Sequence, residues 1–289
     1  MAYGVKSTND FVLHGISNTK NSSQLDMIMF SDAISSQGYT STVSNQGAAF
    51  YLANANGGTI SNNSTASFTA FGISACSGAV NILTGTTSNT TGYSSIATHA
   101  SILPGIPTPS SGLVTKYEAE CLIRTGATIF DTATNPGRVR FGFMNVMTNA
   151  AVADGVYFER LAENDTPTTD TNWQIIFVKD TVAERKATGM SFAANKTYRL
   201  YLCVEKNSSG TFTTTYKIKN MTDSTSEEST MAPSVAATYY PAAAGDYMGV
   251  GITVSKAGSL LSANSLGVHV DYLAARIRRP VSREILIGA

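Results

Sequence analysis

The sequence has 289 residues, of which 43% are hydrophobic and only 14% charged, and 20 basic residues balance 20 acidic ones. This length permits one large domain, and 13 Tyr, 12 Phe and 1 Trp are available to fill its core. Balanced charge disfavours nucleic-acid binding, which needs concentrated positive charge, and no apolar run approaches the ~20 residues of a membrane span.

The first 70 residues differ from the rest in having few core-forming side chains. No basic and apolar leader follows Met1, so we expect synthesis in a cytoplasm. The stretch LDMIMFSDAI fits a short helix or a short strand. We expect residues 1–70 to form a partly extended arm that gains order on a partner.

Residues 71–280 are expected to form one sandwich. From Tyr117 onward the dominant pattern is period-two alternation, which is typical of half-buried strands. Ala79 and Leu83 mark an early candidate strand, and LPGIPTPSSG predicts a loop rather than a domain linker. Later strands are predicted in KYEAECLIR, RVRFGFM, DGVYFER, NWQIIFVKD, TYRLYLCVEK, FTTTYKIKN, MGVGITV and GVHVDYLAARIR. No amphipathic helix interrupts them, so the pattern predicts an all-β, mainly antiparallel sandwich or barrel.

Alternation also predicts which side chains face the core. In RVRFGFMNVMTNAAVADGVYFER, Phe141 and Phe158 should point inward, while Arg138, Arg140 and Glu159 should point outward. These three charged residues are interpreted first as cross-strand surface pairs and second as contacts with a neighbouring subunit.

The C-terminal segment ARIRRPVSREILIGA carries the only local excess of charge. Arg276, Arg278, Arg279 and Arg283 surround Pro280, which ends the last strand and leaves residues 281–289 as a short tail. We expect these arginines to contact a partner.

Two carboxylates are the sharpest candidates for catalysis. Glu118 and Glu120 lie two residues apart on one strand face, about 7 Å apart by strand geometry, which permits a glycosidase pair. No third acid follows, so a solvated strand face is the preferred interpretation. Trp173 alternates with apolar residues and is assigned to the core rather than to sugar stacking. We therefore predict no catalytic residues.

Cysteine and histidine patterns suggest neither a metal site nor a disulfide. Cys76, Cys121 and Cys203 are odd in number and far apart, so they are interpreted as reduced packing thiols. The three histidines show no ligand spacing, and the acidic residues lack the spacing of a calcium loop. We expect no metal and no cofactor.

The order of these motifs resembles a known family. SGAVNILTGTTSNTTGY, KYEAECLIR, RFGFMN with DGVYFER, a Trp strand, TYRLYLCVEKNSSGTFTTTYKIKN, MGVGITVSKAG and VDYLAARI are together similar to the concanavalin A-like jelly roll of structural proteins of tailed bacteriophages. The resemblance covers roughly residues 71–278 and implies a two-sheet jelly-roll sandwich.

The resemblance also implies a role in a virion. It implies a non-enzymatic capsid decoration or cement protein, displayed as a surface knob, forming a homotrimer and contacting the major capsid protein or another virion protein. The alternative is a tail fibre or head fibre for host attachment that binds a host surface glycan. No heptad or repetitive shaft is visible, which disfavours a fibre. No nucleic acid or membrane partner is expected.

Overall fold

The computed structural model describes residues 26–32, 51–62, 79–98, 115–128, 130, 135–162, 171–206, 211–241, 248–259, 261 and 264–278. These residues form strands and one short helix. The elements are β1 (Asp26–Asp32), β2 (Tyr51–Ala55), β3 (Thr59–Asn62), β4 (Val80–Leu83), β5 (Tyr93–Ala97), β6 (Thr115–Thr125), β7 (Gly137–Met144), β8 (Gly155–Ala162), β9 (Asn172–Lys179), β10 (Val182–Ser191), β11 (Thr197–Lys206), β12 (Phe212–Asn220), β13 (Thr225–Met231), α1 (Ala236–Tyr239), β14 (Gly249–Lys256) and β15 (Gly267–Arg278). No helix among these is long and apolar enough to cross a membrane.

The strands form two antiparallel sheets. One sheet has seven strands in the order β10-β9-β8-β7-β14-β5-β2, and the other has eight, in the order β13-β12-β11-β6-β15-β4-β3 with β1 added beside β15. Strands that are distant in sequence are neighbours in both sheets, as in β14 between β7 and β5. The predicted all-β antiparallel sandwich is therefore confirmed.

β15 is the longest strand of the eight-stranded sheet and pairs with three others. One edge follows β6 along its length, while the other edge pairs first with β4 and then with β1. The register places Asp26 opposite Arg278, so the chain enters β1 and leaves β15 at the same place.

The core lies between the sheets and is rich in aromatic side chains. Trp173 is fully buried and makes edge-to-face contacts with Phe158, Phe192 and Tyr198 at centroid distances of 6.2, 5.1 and 5.9 Å. Its assignment to the core is confirmed. The inward direction predicted for Phe141 is confirmed as well.

Two long strands are absent from the sequence prediction. β10 and β13 are edge strands of the two sheets, and most of their side chains are exposed. An edge strand exposed on both faces needs no apolar alternation, so VAERKATGMS and TSEESTM show none.

The sheets also extend upstream of residue 71. β1, β2 and β3 lie within the segment predicted as an arm and pair with β15, β5 and β4. LDMIMFSDAI thus contributes a strand, not a helix. β2 and β3 have only five and four residues (YLANA and TISN), so their pattern is too short to predict them from sequence.

Candidate functional site on the seven-stranded sheet

The outer face of the seven-stranded sheet carries a polar patch beside a small apolar cluster that includes Met144, Tyr157 and Ile176. We call this patch the polar face. Two rows cross neighbouring strands in register: Ser95, Thr253, Arg140 and Glu159 in the first, and Tyr93, Ser255 and Arg138 in the second. Alternation places these residues outward because their neighbours Ile252, Val254, Val139 and Phe141 point into the core.

An ion cluster occupies one end of the polar face. Glu159 is fully buried, and its Oε2 lies 3.0 Å from Nε of Arg140, which is 3% exposed. Its other oxygen accepts a hydrogen bond from Arg185 on the edge strand β10. Burial alone would raise the pKa of Glu159, but the charges of Arg140, Arg185 and Arg138 outweigh it and hold the pKa below its ordinary value. Glu159 is therefore an ionised anchor rather than a proton donor.

The connection between β7 and β8 covers this cluster. Arg140 Nη1 donates to the carbonyl of Ala150 at 2.8 Å. Met147 and Val152 of the same connection pack with Tyr157 in a small apolar cluster on the outer face. Arg140 and Glu159 point outward as predicted, but the exposure expected for them is wrong, because residues 145–154 fold back over the sheet.

Three hydroxyl groups beside this cluster have lost contact with water. Ser95 and Ser255 are fully buried and Thr253 is 1% exposed. None of the three hydroxyls has a hydrogen-bond partner in the structure. An unpaired buried hydroxyl costs about 1–3 kcal/mol, so these three hydroxyls lower the stability of the fold at this patch.

Accessible side chains flank one of these hydroxyls. Tyr93 and Arg138 are both half-buried and lie on either side of Ser255, on β5 and β7. Two strand spacings separate them, about 10 Å, which is room for one sugar ring. An aromatic ring, a hydroxyl and a guanidinium in one row offer an apolar surface together with hydrogen-bonding groups.

The outer face of the eight-stranded sheet holds the two carboxylates considered for catalysis. Glu118 accepts hydrogen bonds from the Tyr201 hydroxyl at 2.7 Å and from Arg276 Nε at 2.5 Å. Glu120 accepts one from Arg199 Nε at 2.6 Å and another from the Tyr272 hydroxyl.

With these hydrogen bonds, Glu118 and Glu120 are a poor catalytic pair. Burial alone would raise the pKa of Glu118, but the hydrogen bond from Arg276 and the charge of Lys116 outweigh it and lower the pKa. A glycosidase acid needs the opposite shift. Glu118 and Glu120 are 4% and 0% exposed, so the solvated strand face expected for them is wrong. Both are held in place by hydrogen bonds from arginine and tyrosine side chains.

The predicted partner-contact arginines fall in several places. Arg138 and Arg140 lie in the polar face, whereas Arg276 is bonded to Glu118 on the opposite sheet. Arg278 ends β15, and Arg279 and Arg283 lie outside the described residues. The structure thus brings Arg138, Arg140 and Glu159 together on one sheet and places Arg276 on the other.

The thiols behave as packing groups where they are described. Cys121 and Cys203 are buried and not in a disulfide, as predicted, while Cys76 lies outside the described residues. Burial raises the pKa of Cys203 to about 12, aided by the charge of Glu118. Neither thiol is poised as a nucleophile.

Acidic, histidine and cysteine side chains form no cluster of three that could hold a metal ion within the described ranges. Asp154, one of the loop acids, instead accepts hydrogen bonds from the backbone N–H of Asp180 at 3.0 Å and from the Asn145 amide at 3.3 Å. It therefore stabilises loops at one end of the sheet.

Comparison with known proteins identifies the fold. The sequence matches no protein-family model and no curated protein. Among the solved structures similar to this chain are three that each share 11% identity with it. A Shewanella oneidensis MR-1 protein of unknown function has a TM-score of 0.57, with 94% of this chain and 96% of that chain covered. Peanut lectin has a TM-score of 0.51 with 87% and 97% covered, and lectin I from Ulex europaeus 0.51 with 88% and 98%.

The chain has the concanavalin A-like jelly-roll fold. The predicted fold is confirmed by the two-sheet topology and by these lectins together. At this identity the likeness shows the fold and not the function.

Several residues of the polar face were not singled out from sequence. Tyr93, Ser95, Thr253 and Ser255 are small or aromatic polar residues at outward positions of strands, a pattern typical of any solvated face. The burial of Ser95, Thr253 and Ser255 is the informative property, and it arises from packing that no local pattern reports. Arg185 was missed because its strand was missed.

Proposed function

We propose that this chain is a non-enzymatic carbohydrate-binding protein of a tailed-phage virion, which attaches the particle to a glycan of the host surface. The observation that carries the proposal is the row of Tyr93, Ser255 and Arg138, in which two accessible side chains flank a buried hydroxyl without a partner. Sugars present hydroxyls that both donate and accept, together with apolar ring faces.

The similar folds support a carbohydrate ligand. Peanut lectin is a lectin by name, and lectin I from Ulex europaeus was solved with the methyl glycoside of α-L-fucose. The virion setting is supported by the phage-like motif order of residues 71–278. Binding without cleavage is supported by Glu118 and Glu120, whose oxygens are occupied by hydrogen bonds from Arg and Tyr side chains.

The test is a glycan array, followed by titration calorimetry on the best ligand with the wild type and with Arg138→Ala, since Arg138 is an accessible member of the row. Losing one hydrogen bond of about 0.5–1.5 kcal/mol should weaken binding about 2- to 12-fold. Lys219→Gln is the control, because Lys219 is exposed on the eight-stranded sheet. Absence of saturable binding to any glycan would overturn the proposal, and release of sugar by the wild type would overturn its non-enzymatic part.

A second candidate is capsid decoration by a homotrimer that contacts the major capsid protein. One observation favours it. Asp26 lies opposite Arg278 in the backbone register of β1 and β15, so the first 25 residues and the last 11 attach to the sandwich at one place. Segments that share one base can act together as an anchor, and Arg279 and Arg283 belong to this group.

Copy number separates the two candidates. Hundreds of copies per particle, together with heat-labile capsids when the chain is missing, would support decoration. A handful of copies, together with loss of adsorption, would support host attachment.

A further inference from the structure

One corner of the sandwich exposes two large aliphatic side chains to water. Val182, at the start of β10, and Val235, just before α1, are 50% and 52% exposed. Ser234 donates from its backbone N–H and from its hydroxyl to Glu184 Oε2, at 2.7 and 2.8 Å, which brings Val235 beside the start of β10. Val182 and Glu184 share one face of that strand. We call Val182 and Val235 the valine corner.

The C-terminal tail starts from the same end of the sandwich. Arg278, the last residue of β15, lies opposite the start of β6, and the start of β6 lies opposite the end of β11. The end of β11 pairs with the start of β12, which in turn pairs with the end of β13. Since Val235 and α1 follow shortly after β13, the chain leaves β15 at the end of the sandwich that carries the valine corner.

The valine corner is within reach of the tail. Four strand spacings separate β15 from β13, about 19 Å, and packed sheets lie about 10 Å apart, so the path measures roughly 22 Å. The nine residues from Arg279 to Ile287 span up to about 30 Å when they are extended. Pro280 has no N–H to continue the pairing of β15, which directs the chain out of the sheet.

The end of the tail is strongly apolar. Residues 285–287 are Ile, Leu and Ile, three consecutive large aliphatic residues. Packing such a run against an exposed apolar surface removes both from water, which is favourable. A tethered segment also has a high effective concentration at any surface that it can reach. Tethering therefore favours the valine corner of the same chain over that of another molecule.

We infer that Ile285, Leu286 and Ile287 dock on the valine corner of their own chain. The docked segment crosses the end of the sandwich at which both termini attach, so any partner that holds the tail competes with the corner. Val182 and Arg185 are on opposite faces of β10, so docking uses the other side of this strand from the polar face. The proposed carbohydrate binding therefore stands or falls independently of the tail.

The experiment is disulfide trapping in the full chain. Val235→Cys is combined with Leu286→Cys, and Cys76→Ser is added to each variant, since the other two native cysteines are buried. The control combines Leu286→Cys with Thr230→Cys. Thr230 is exposed near the end of β13, so the tail reaches it equally well, but it lies among hydroxyl groups on the outer face of the eight-stranded sheet.

We expect the Val235→Cys pair to form its disulfide at least about tenfold faster than the control pair, because docking raises the local concentration of the tail at the corner. Adding Val182→Asp should remove this difference, because it places a charge in the apolar contact. Ile285→Ser together with Ile287→Ser should have the same effect without changing the sandwich, so a loss of stability in Val182→Asp would not decide the outcome.

Equal rates for the Val235→Cys pair and the control pair would overturn the docking. A fast rate that the two serine substitutions in the tail do not change would also overturn it, since the tail would then be near the corner without an apolar contact. A disulfide that joins two chains on a non-reducing gel would overturn the assignment to the same chain and place the tail of one copy on the corner of another.

Discussion

Replacing Glu159 by Gln removes the only negative charge from the polar face at almost constant shape. The carboxylate is fully buried and bonded to Arg140, which is itself 3% exposed, and to Arg185. The substitution leaves the Arg140 guanidinium buried without its counter-charge. Breaking a buried ion pair in this way costs about 3–5 kcal/mol.

A second ion pair of this chain provides a matched control. Lys217 and Glu228 are also separated by 3.0 Å, but the Glu228 side chain is 56% exposed. An exposed pair contributes about 0–1 kcal/mol, so Glu228→Gln should change stability little. The contrast isolates burial, because donor–acceptor distance and type of substitution are the same.

The assay is urea unfolding at neutral pH, with the free energy of unfolding compared among the wild type, Glu159→Gln and Glu228→Gln. A similar, small loss in both variants would refute the argument, since it would mean that Glu159 is solvated in solution and the cluster is not buried.

The pH dependence gives an independent check with a definite sign. The pKa of Glu159 is lowered in the folded protein, so its ionised form stabilises the fold above the unfolded carboxyl pKa of about 4.3. That contribution is lost as the pH falls through the lowered folded pKa. The stability gap between wild type and Glu159→Gln should therefore close in acid, and a gap that widens would contradict the reasoning.

Three further changes test other parts of the structure. Gly142→Ala should lose about 1–3 kcal/mol in urea unfolding, because φ is 143° and a Cβ atom would lie 2.8 Å from Tyr157 Cα. Thr253→Val should raise the free energy of unfolding of the unliganded protein by about 1–3 kcal/mol, because it removes a buried hydroxyl without a partner; a loss of stability would show that the hydroxyl is hydrogen-bonded. Cys203 should react with iodoacetamide far more slowly in the native protein than in urea, because its pKa is raised to about 12, and peptide mass spectrometry would detect equal rates if the thiol were exposed.

The core strands could be predicted because each has one apolar face directed into the core. Burial of alternate side chains, such as Phe141 and Phe158, leaves a period of two that local sequence displays. The same rule placed Trp173 inside. It failed for β10 and β13, since an edge strand exposed on both faces carries no such period.

Only part of the candidate site could be predicted from the sequence. Alternation pointed Arg140 and Glu159 outward and toward each other across β7 and β8, and the register confirms that pairing. The burial of Arg140 and Glu159 could not be predicted, because it depends on residues 145–154 folding back over the sheet. The same limit applies to Glu118, whose outward direction was right but whose partners come from β11 and β15, far along the chain.

The amino-acid sequence alone determines the all-β architecture, the inward and outward faces of the central strands and the lack of a paired-cysteine framework, because each is a property of local pattern or composition. Tertiary structure alone decides that outward-facing arginines, hydroxyls and carboxylates are buried and grouped. Strand order brings β5, β14, β7 and β8 together although more than a hundred residues separate β5 from β14. The burial and the charge balance on a sheet face follow from that strand order. No short stretch of sequence specifies which distant strands become neighbours.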